Sequence, residues 1–190
     1  MRPTTGSLTV GSTGQAQYRE AEVALRRTWG DGDEALVSYT RSSARGQVND
    51  FSTLFASGDT EVLRPGGTAR LPADAPHRWL GWFTFTVPHG FILAPAVEWH
   101  SGFPYTPLTT RLDYAAALNS LSYPPFFSLD LGVYKTVDVR DRRIKAGIQV
   151  FNATNHFNPR DVYAVPGTAH FGSFPNSVGP TLRGVLTFLW

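Results

Sequence analysis

The chain has 190 residues, with 17 Lys and Arg against 15 Asp and Glu for a formal net charge of +2, and no cysteine. The length suits one domain or part of a larger one; the charge surplus is too small and its arginines too scattered to track a phosphate backbone; and the missing thiols exclude a disulfide framework, a thiolate metal centre and a cysteine nucleophile. Charged residues are 17% of the chain and aromatics 13%, with 18 Gly and 14 Pro, the balance of a β-protein with large loops.

Read in chain order, seven segments alternate with a period of two, the pattern that sends successive side chains to opposite faces of a sheet. Residues 17–29 set Ala21, Val23 and Leu25 against Glu20, Glu22 and Arg26, and after Gly30-Asp31-Gly32-Asp33 a second strand over 34–45 centres on Val37 and Tyr39. Residues 78–87 place Trp79, Phe83, Phe85 and Val87 on one side. Residues 91–100 place Phe91, Leu93, Val97 and Trp99 there, with Glu98 and His100 opposite, and Pro88-His89-Gly90 joins the pair as a hairpin. Over 127–137, Phe127, Leu129, Leu131 and Val133 alternate with Ser128, Asp130, Gly132 and Tyr134. Over 143–152, Ile144, Ala146, Ile148 and Val150 alternate with Lys145, Gly147 and Gln149. In the last segment, 181–190, Leu182, Gly184, Leu186, Phe188 and Trp190 share a face opposite Arg183 and Thr187.

The connections alternate too. Short turns at 30–33, 88–90 and 138–142 are interleaved with long Pro-, Gly- and Ser-rich segments at 46–76, 102–125 and 155–180. Structureless loops beyond about 12 to 15 residues are uncommon in compact soluble domains, whereas a transmembrane barrel has short turns at one end, long loops at the other and strands of about 9 to 11 residues. Counting back from Trp190 puts all three short turns at one end. Trp29, Trp79, Trp99, Phe127 and Trp190, near strand ends, suit interfacial girdles. The predicted fold is therefore all-β: an antiparallel up-and-down meander of about seven transmembrane strands. On that reading the polar strand faces carry candidate lumen-lining residues Glu98, His100, Asp130, Tyr134, Lys145, Gln149 and Arg183. No run approaches the roughly 18 apolar residues of a membrane helix, and Met1-Arg2-Pro3-Thr4-Thr5-Gly6 lacks the apolar region of a signal peptide.

Four stretches carry a family likeness. Trp99-His100-Ser101-Gly102-Phe103-Pro104-Tyr105-Thr106-Pro107 resembles the "SGxPYTP" strand-to-loop segment in the C-terminal barrel of TonB-dependent receptors, in particular the Oar-like branch with a carboxypeptidase-regulatory-like domain. Phe127 to Lys135 resembles that family's "R-x-D-L-x-V-x-K" strand, with Ser128 where Arg is common. Val150 to Pro159 is similar to its "x-F-N-x-x-N-x-x-N-P" segment, and Phe171-Gly172 followed by a terminal strand ending on Phe188 and Trp190 completes the order. The likeness covers residues 75–190 well and the first third by strand pattern alone, with 1–16 read as loop or disordered.

The resemblance implies that residues 1–190 are the C-terminal part of a larger outer-membrane β-barrel, in a receptor that takes up substrate by energy coupling. Phe188 and Trp190 would form the assembly signal read by strand addition, although Gly184 lies one position earlier than the usual glycine. The implied partners are the outer-membrane bilayer, the assembly machinery, the remaining strands and plug, and TonB through that missing part alone. Nucleic acid, cofactor and enzymatic activity are not implied. Seven strands left open in lipid would expose two edges at a cost of tens of kcal/mol, more than the roughly 5 to 15 kcal/mol that stabilises a whole domain, so a solitary fragment would transport nothing. The competing readings are an autonomous small outer-membrane barrel or adhesin, which needs an eighth strand in residues 1–16, and a soluble carbohydrate-binding β-sandwich.

Other chemistry finds little footing. His77, His89, His100, His156 and His170 have no metal-ligand spacing, Gly11-Ser12-Thr13-Gly14 lacks the Gly-Lys-Ser/Thr of a phosphate loop, and Asp31-Gly32-Asp33 lacks the remaining ligands of a calcium loop. Tyr105, Tyr114, Tyr123, Phe157, Tyr163, Phe171 and Phe174 crowd the two later loops, where they serve either ligand recognition or loop-on-loop packing.

Overall fold

The computed structural model describes residues 14–30, 32–47, 67–111, 114–139 and 142–189. In chain order the strands are β1 (Ala16–Trp29), β2 (Asp33–Gly46), β3 (Ala69–Arg70), β4 (His77–Val87), β5 (Phe91–His100), β6 (Pro104–Tyr105), β7 (Leu121–Ser122), β8 (Phe126–Val139), β9 (Arg142–Phe151) and β10 (Thr181–Leu189). The seven long strands form one antiparallel sheet, β1-β2-β4-β5-β8-β9-β10, so the meander follows the sequence. The two-residue β3 pairs with the outer end of β2, and β6 with β7 in a separate ribbon. The sheet is open: β1 and β10 are its edges.

Each predicted segment coincides with a strand, and β1, β2, β4 and β8 run further than the alternation suggested. The turn expected over 138–142 is shorter, since β8 reaches Val139 and β9 starts at Arg142. The β4–β5 hairpin turns on Pro88, His89 and Gly90, with His89 (φ 66°) and Gly90 (φ 71°) both left-handed. Pro95, which has no N–H to give, sits inside β5 and pairs with Leu131 of β8 while its ladder to β4 is interrupted. Trp190, Asp31 and the segment Gly11 to Thr13 lie outside the described residues.

Direct cross-strand partners share a face, and the registers sort the strands into two surfaces. One carries Val23, Val37, Phe83, Val97, Leu131, Ile148 and Leu186 with their same-face neighbours. The other carries Glu22, Thr40, Arg78, Glu98, Ser128, Gln149 and Arg183 with theirs. Among the described residues no second layer covers the apolar surface: Leu131 and Val133, on a central strand, are each 42% exposed, Ile148 56% and Val23 74%. Ala44, at 7%, is the one buried hydrophobic residue among those described. Domains are commonly built of two packed layers around a core; the described residues form one layer without such a core.

Candidate functional site

Four adjacent strands carry the seven candidate lumen residues. Glu98 and His100 (β5), Asp130 and Tyr134 (β8), Lys145 and Gln149 (β9) and Arg183 (β10) all stand on the polar face. They form linked groups. Arg183 Nε donates to Gln149 Oε1 at 2.6 Å, Gln149 Nε2 donates to the Tyr134 hydroxyl, and Lys145 Nζ lies 4.6 Å from the centre of the Tyr134 ring. Arg78 holds Glu98 Oε1 at 2.8 Å, and Arg26 pairs with Glu34 towards the other edge. The Tyr134 ring lies across Gly132 and Gly147; a Cβ on Gly147 would overlap the ring and come within 2.7 Å of the Val133 carbonyl oxygen. Glycine is what lets this tyrosine lie flat along the sheet.

His100 belongs to a different cluster, at the long-segment end. Its ring stacks on Phe126 (4.8 Å between centroids, 6° between planes) and tilts against Phe103, and Nδ1 sits 2.8 Å from the Ser101 carbonyl oxygen. That contact makes Nδ1 the protonated nitrogen.

At this end the described parts of the three long segments fold over one another. Asn119 Nδ2 donates to the Arg70 carbonyl at 2.6 Å, Arg70 reaches Ser122 Oγ at 2.9 Å, and Leu108 N donates to the Ala164 carbonyl at 2.8 Å. Tyr123 packs between Tyr105 and Phe174. Burial raises the phenol pKa of Tyr105, and of Tyr123 with a smaller contribution from the Asp161 charge.

Two buried asparagines anchor this cap to the sheet. Asn158 stands in for a strand: its Oδ1 accepts from Phe127 N (3.0 Å), its Nδ2 donates to the Phe127 carbonyl (2.7 Å), and its own N–H donates to Ser177 Oγ. Asn152, left-handed at φ 50°, donates through Nδ2 to the His156 and Val178 carbonyls, while its N–H donates to Asp130 Oδ1, which also accepts from Ser128 Oγ. Asp74 does similar work for β2, accepting from Ala44 N and Arg70 Nε, both at 2.7 Å. Sequence reasoning gave none of these three a role; the one visible signal was the Asn-x-x-Asn-x-x-Asn-Pro run.

A cleft of about 240 Å³ lies where cap meets sheet, bordered by His100, Phe103, Tyr123, Phe126, Asn158 and Arg160. A second of about 400 Å³ opens beside it over Asp130, Asn152 and Thr181.

No protein-family model, curated protein or solved structure matches this chain. The arrangement therefore speaks through its chemistry. Among the described residues, no three potential metal ligands converge. None of their helices is long and apolar enough to cross a membrane, which says nothing of strands. Of the proposed assembly residues, Phe188 stands on the apolar face of the β10 edge, 51% exposed, and Trp190 lies outside the described residues.

Proposed function

We propose that this chain is a C-terminal β-barrel segment of a TonB-dependent outer-membrane receptor, with its apolar face against lipid and its polar face lining the lumen. The observation that carries the membrane part is the uncovered apolar face. A row of aromatic cross-strand partners, Tyr39, Trp79, Trp99 and Phe127, crosses four strands at the long-segment end, while Trp29, Phe85 and Phe91 mark the short-turn end. Trp99 and Phe91 are eight residues apart on β5, about 27 Å along the strand at about 3.4 Å per residue. A tilt of about 40° brings this to roughly 20 Å, close to the apolar band of an outer-membrane barrel.

The strand count supports incorporation into something larger. With seven strands, β1 and β10 run in the same direction, so closing the sheet on itself would pair them parallel in an otherwise antiparallel ring. An odd number of further strands closes it with antiparallel contacts throughout, and leaves no edge in lipid. The receptor class and energy-coupled uptake rest on the four sequence stretches that resemble that family, and the transport step belongs to a plug and TonB-contacting segment outside this chain.

The test is membrane association. The chain, expressed with an outer-membrane leader in a Gram-negative host, is expected in the outer-membrane fraction and resistant to carbonate extraction. Recovery as a soluble, monodisperse monomer with a cooperative melt would sink the proposal and favour a β-sandwich.

A further inference from the structure

Beyond the aromatic row, the apolar face ends in a cluster of cations on two adjacent strands. Moving outward from Tyr39, the next positions of that face on β2 are Arg41, Ser43 and Arg45, and their partners on β1 are Ala21, Arg19 and Gln17. Arg19 sits directly across from Ser43, diagonal to both Arg41 and Arg45, at the separation of about 7 to 8 Å that long side chains span. All three arginines are exposed. Arg19 and Arg45 have no side-chain hydrogen bond or ion pair among the described residues, and Arg41 touches only the ring nitrogens of His77, which is itself bound to the Tyr39 hydroxyl at 2.7 Å.

The described residues around the cluster do not neutralise it. The neighbouring β1 carboxylates Glu20 and Glu22 project from the other face. Asp74 already holds Ala44 N and Arg70, the β3 residue directly across from Arg45. The cations at the opposite end of the same face are dispersed: Arg27 on β1, Lys135 on β8, where it lies over the Phe91 ring, and Arg142 on β9.

We infer that Arg19, Arg41 and Arg45 form a site for the phosphate groups of an anionic lipid headgroup in the leaflet at the long-segment end. This rests on the membrane reading above, because the aromatic row sets the depth. One row outward is about 7 Å along a strand, so Arg41 stands at headgroup level, with Arg19 and Arg45 one and two rows beyond it. Planar guanidinium groups bind phosphate oxygens in pairs, and the free charge is held above an apolar band that fixes the acyl chains beside it.

The test uses the full chain with phosphatidylcholine vesicles, alone or containing lipid A or dephosphorylated lipid A at the same mole fraction. The expected result is binding to all three, about tenfold tighter with lipid A than with its dephosphorylated form. That gain should disappear in the R19A/R41A/R45A variant and persist in R27A/K135A/R142A, which removes the same charge from the other end. Binding to all vesicles with no gain from phosphate overturns the lipid site and leaves the membrane reading standing. A gain lost equally in both triple variants overturns it as well, since net charge alone then explains the attraction. Binding to lipid A vesicles alone, lost only in R19A/R41A/R45A, upholds the phosphate site and sinks the membrane-spanning reading. Binding to no vesicle overturns both.

Discussion

The two faces of this sheet share one backbone and differ in what their side chains do for each other. On the polar face they are tied together: Arg183 to Gln149 to Tyr134, Arg78 to Glu98, Ser128 to Asp130. On the apolar face they stand side by side with no described residue packed over them, Leu131, Val133 and Ile148 among them. A surface of this size exposed to water would be an aggregation hazard; a surface exposed to lipid needs no second layer. On the proposed reading the apolar face takes its stability from the bilayer, while the polar face takes it from bonds within.

The largest expected effect breaks that contrast directly. Leu131→Arg places a charge mid-strand on the apolar face and is expected to cost about 2 to 4 kcal/mol in bilayer-embedded protein, read as a shift in urea unfolding from vesicles. The same charge at Gly132, one residue along and on the other face, would instead meet the Tyr134 ring, so the matched control is Thr136→Arg, expected within about 0.5 kcal/mol. Equal small effects at both positions would mean that water, not lipid, bathes the apolar face.

Next in size is the link between sheet and cap. Asn158→Ala strips Phe127 of both its backbone partners and is expected to cost about 1 to 3 kcal/mol. Amide exchange should speed up at Phe127 and across 158–177 while β9 stays protected. Gly147→Ala tests the polar face alone: the new methyl meets the Tyr134 ring and the Val133 carbonyl, for an expected loss of about 1 to 3 kcal/mol. Adding Tyr134→Ser should recover part of it. Full additivity of the two substitutions would disprove that the ring lies on the glycine.

The strands were legible in the sequence because apolar and polar side chains are sorted strictly to opposite faces of the sheet: Leu131 against Asp130, Ile148 against Gln149, Trp99 against Glu98. The face assignment of all seven candidate lumen residues followed from that period. The cap was not legible. Strands β3, β6 and β7 are two residues each, too short to repeat a pattern. Asn152, Asn158 and Asp74 replace backbone partners with side-chain ones, which leaves no periodic trace. Tyr134 over Gly147 depends on the β8–β9 register, which single strands do not encode. The expected turn residues at Pro88 to Gly90 were readable because left-handed geometry selects for few side chains.

The smallest effect sharpens the polar half of the comparison. Arg78 and Glu98 are cross-strand diagonal partners on β4 and β5, 2.8 Å apart and half-exposed and one-third exposed respectively. Facing open water, such a pair contributes about 0.2 to 1 kcal/mol and fades with salt. A double-mutant cycle with Arg78→Ala and Glu98→Ala separates their coupling from the cost of each truncation. On an open sheet the coupling should fall within that range and vanish by about 1 M salt. In the closed barrel, where lumen walls of low dielectric surround the pair, it should be larger and persist at high salt. Measuring the cycle in the isolated chain and again in the proposed barrel closed by further strands therefore reports how far the polar face depends on its own contacts and how far on enclosure.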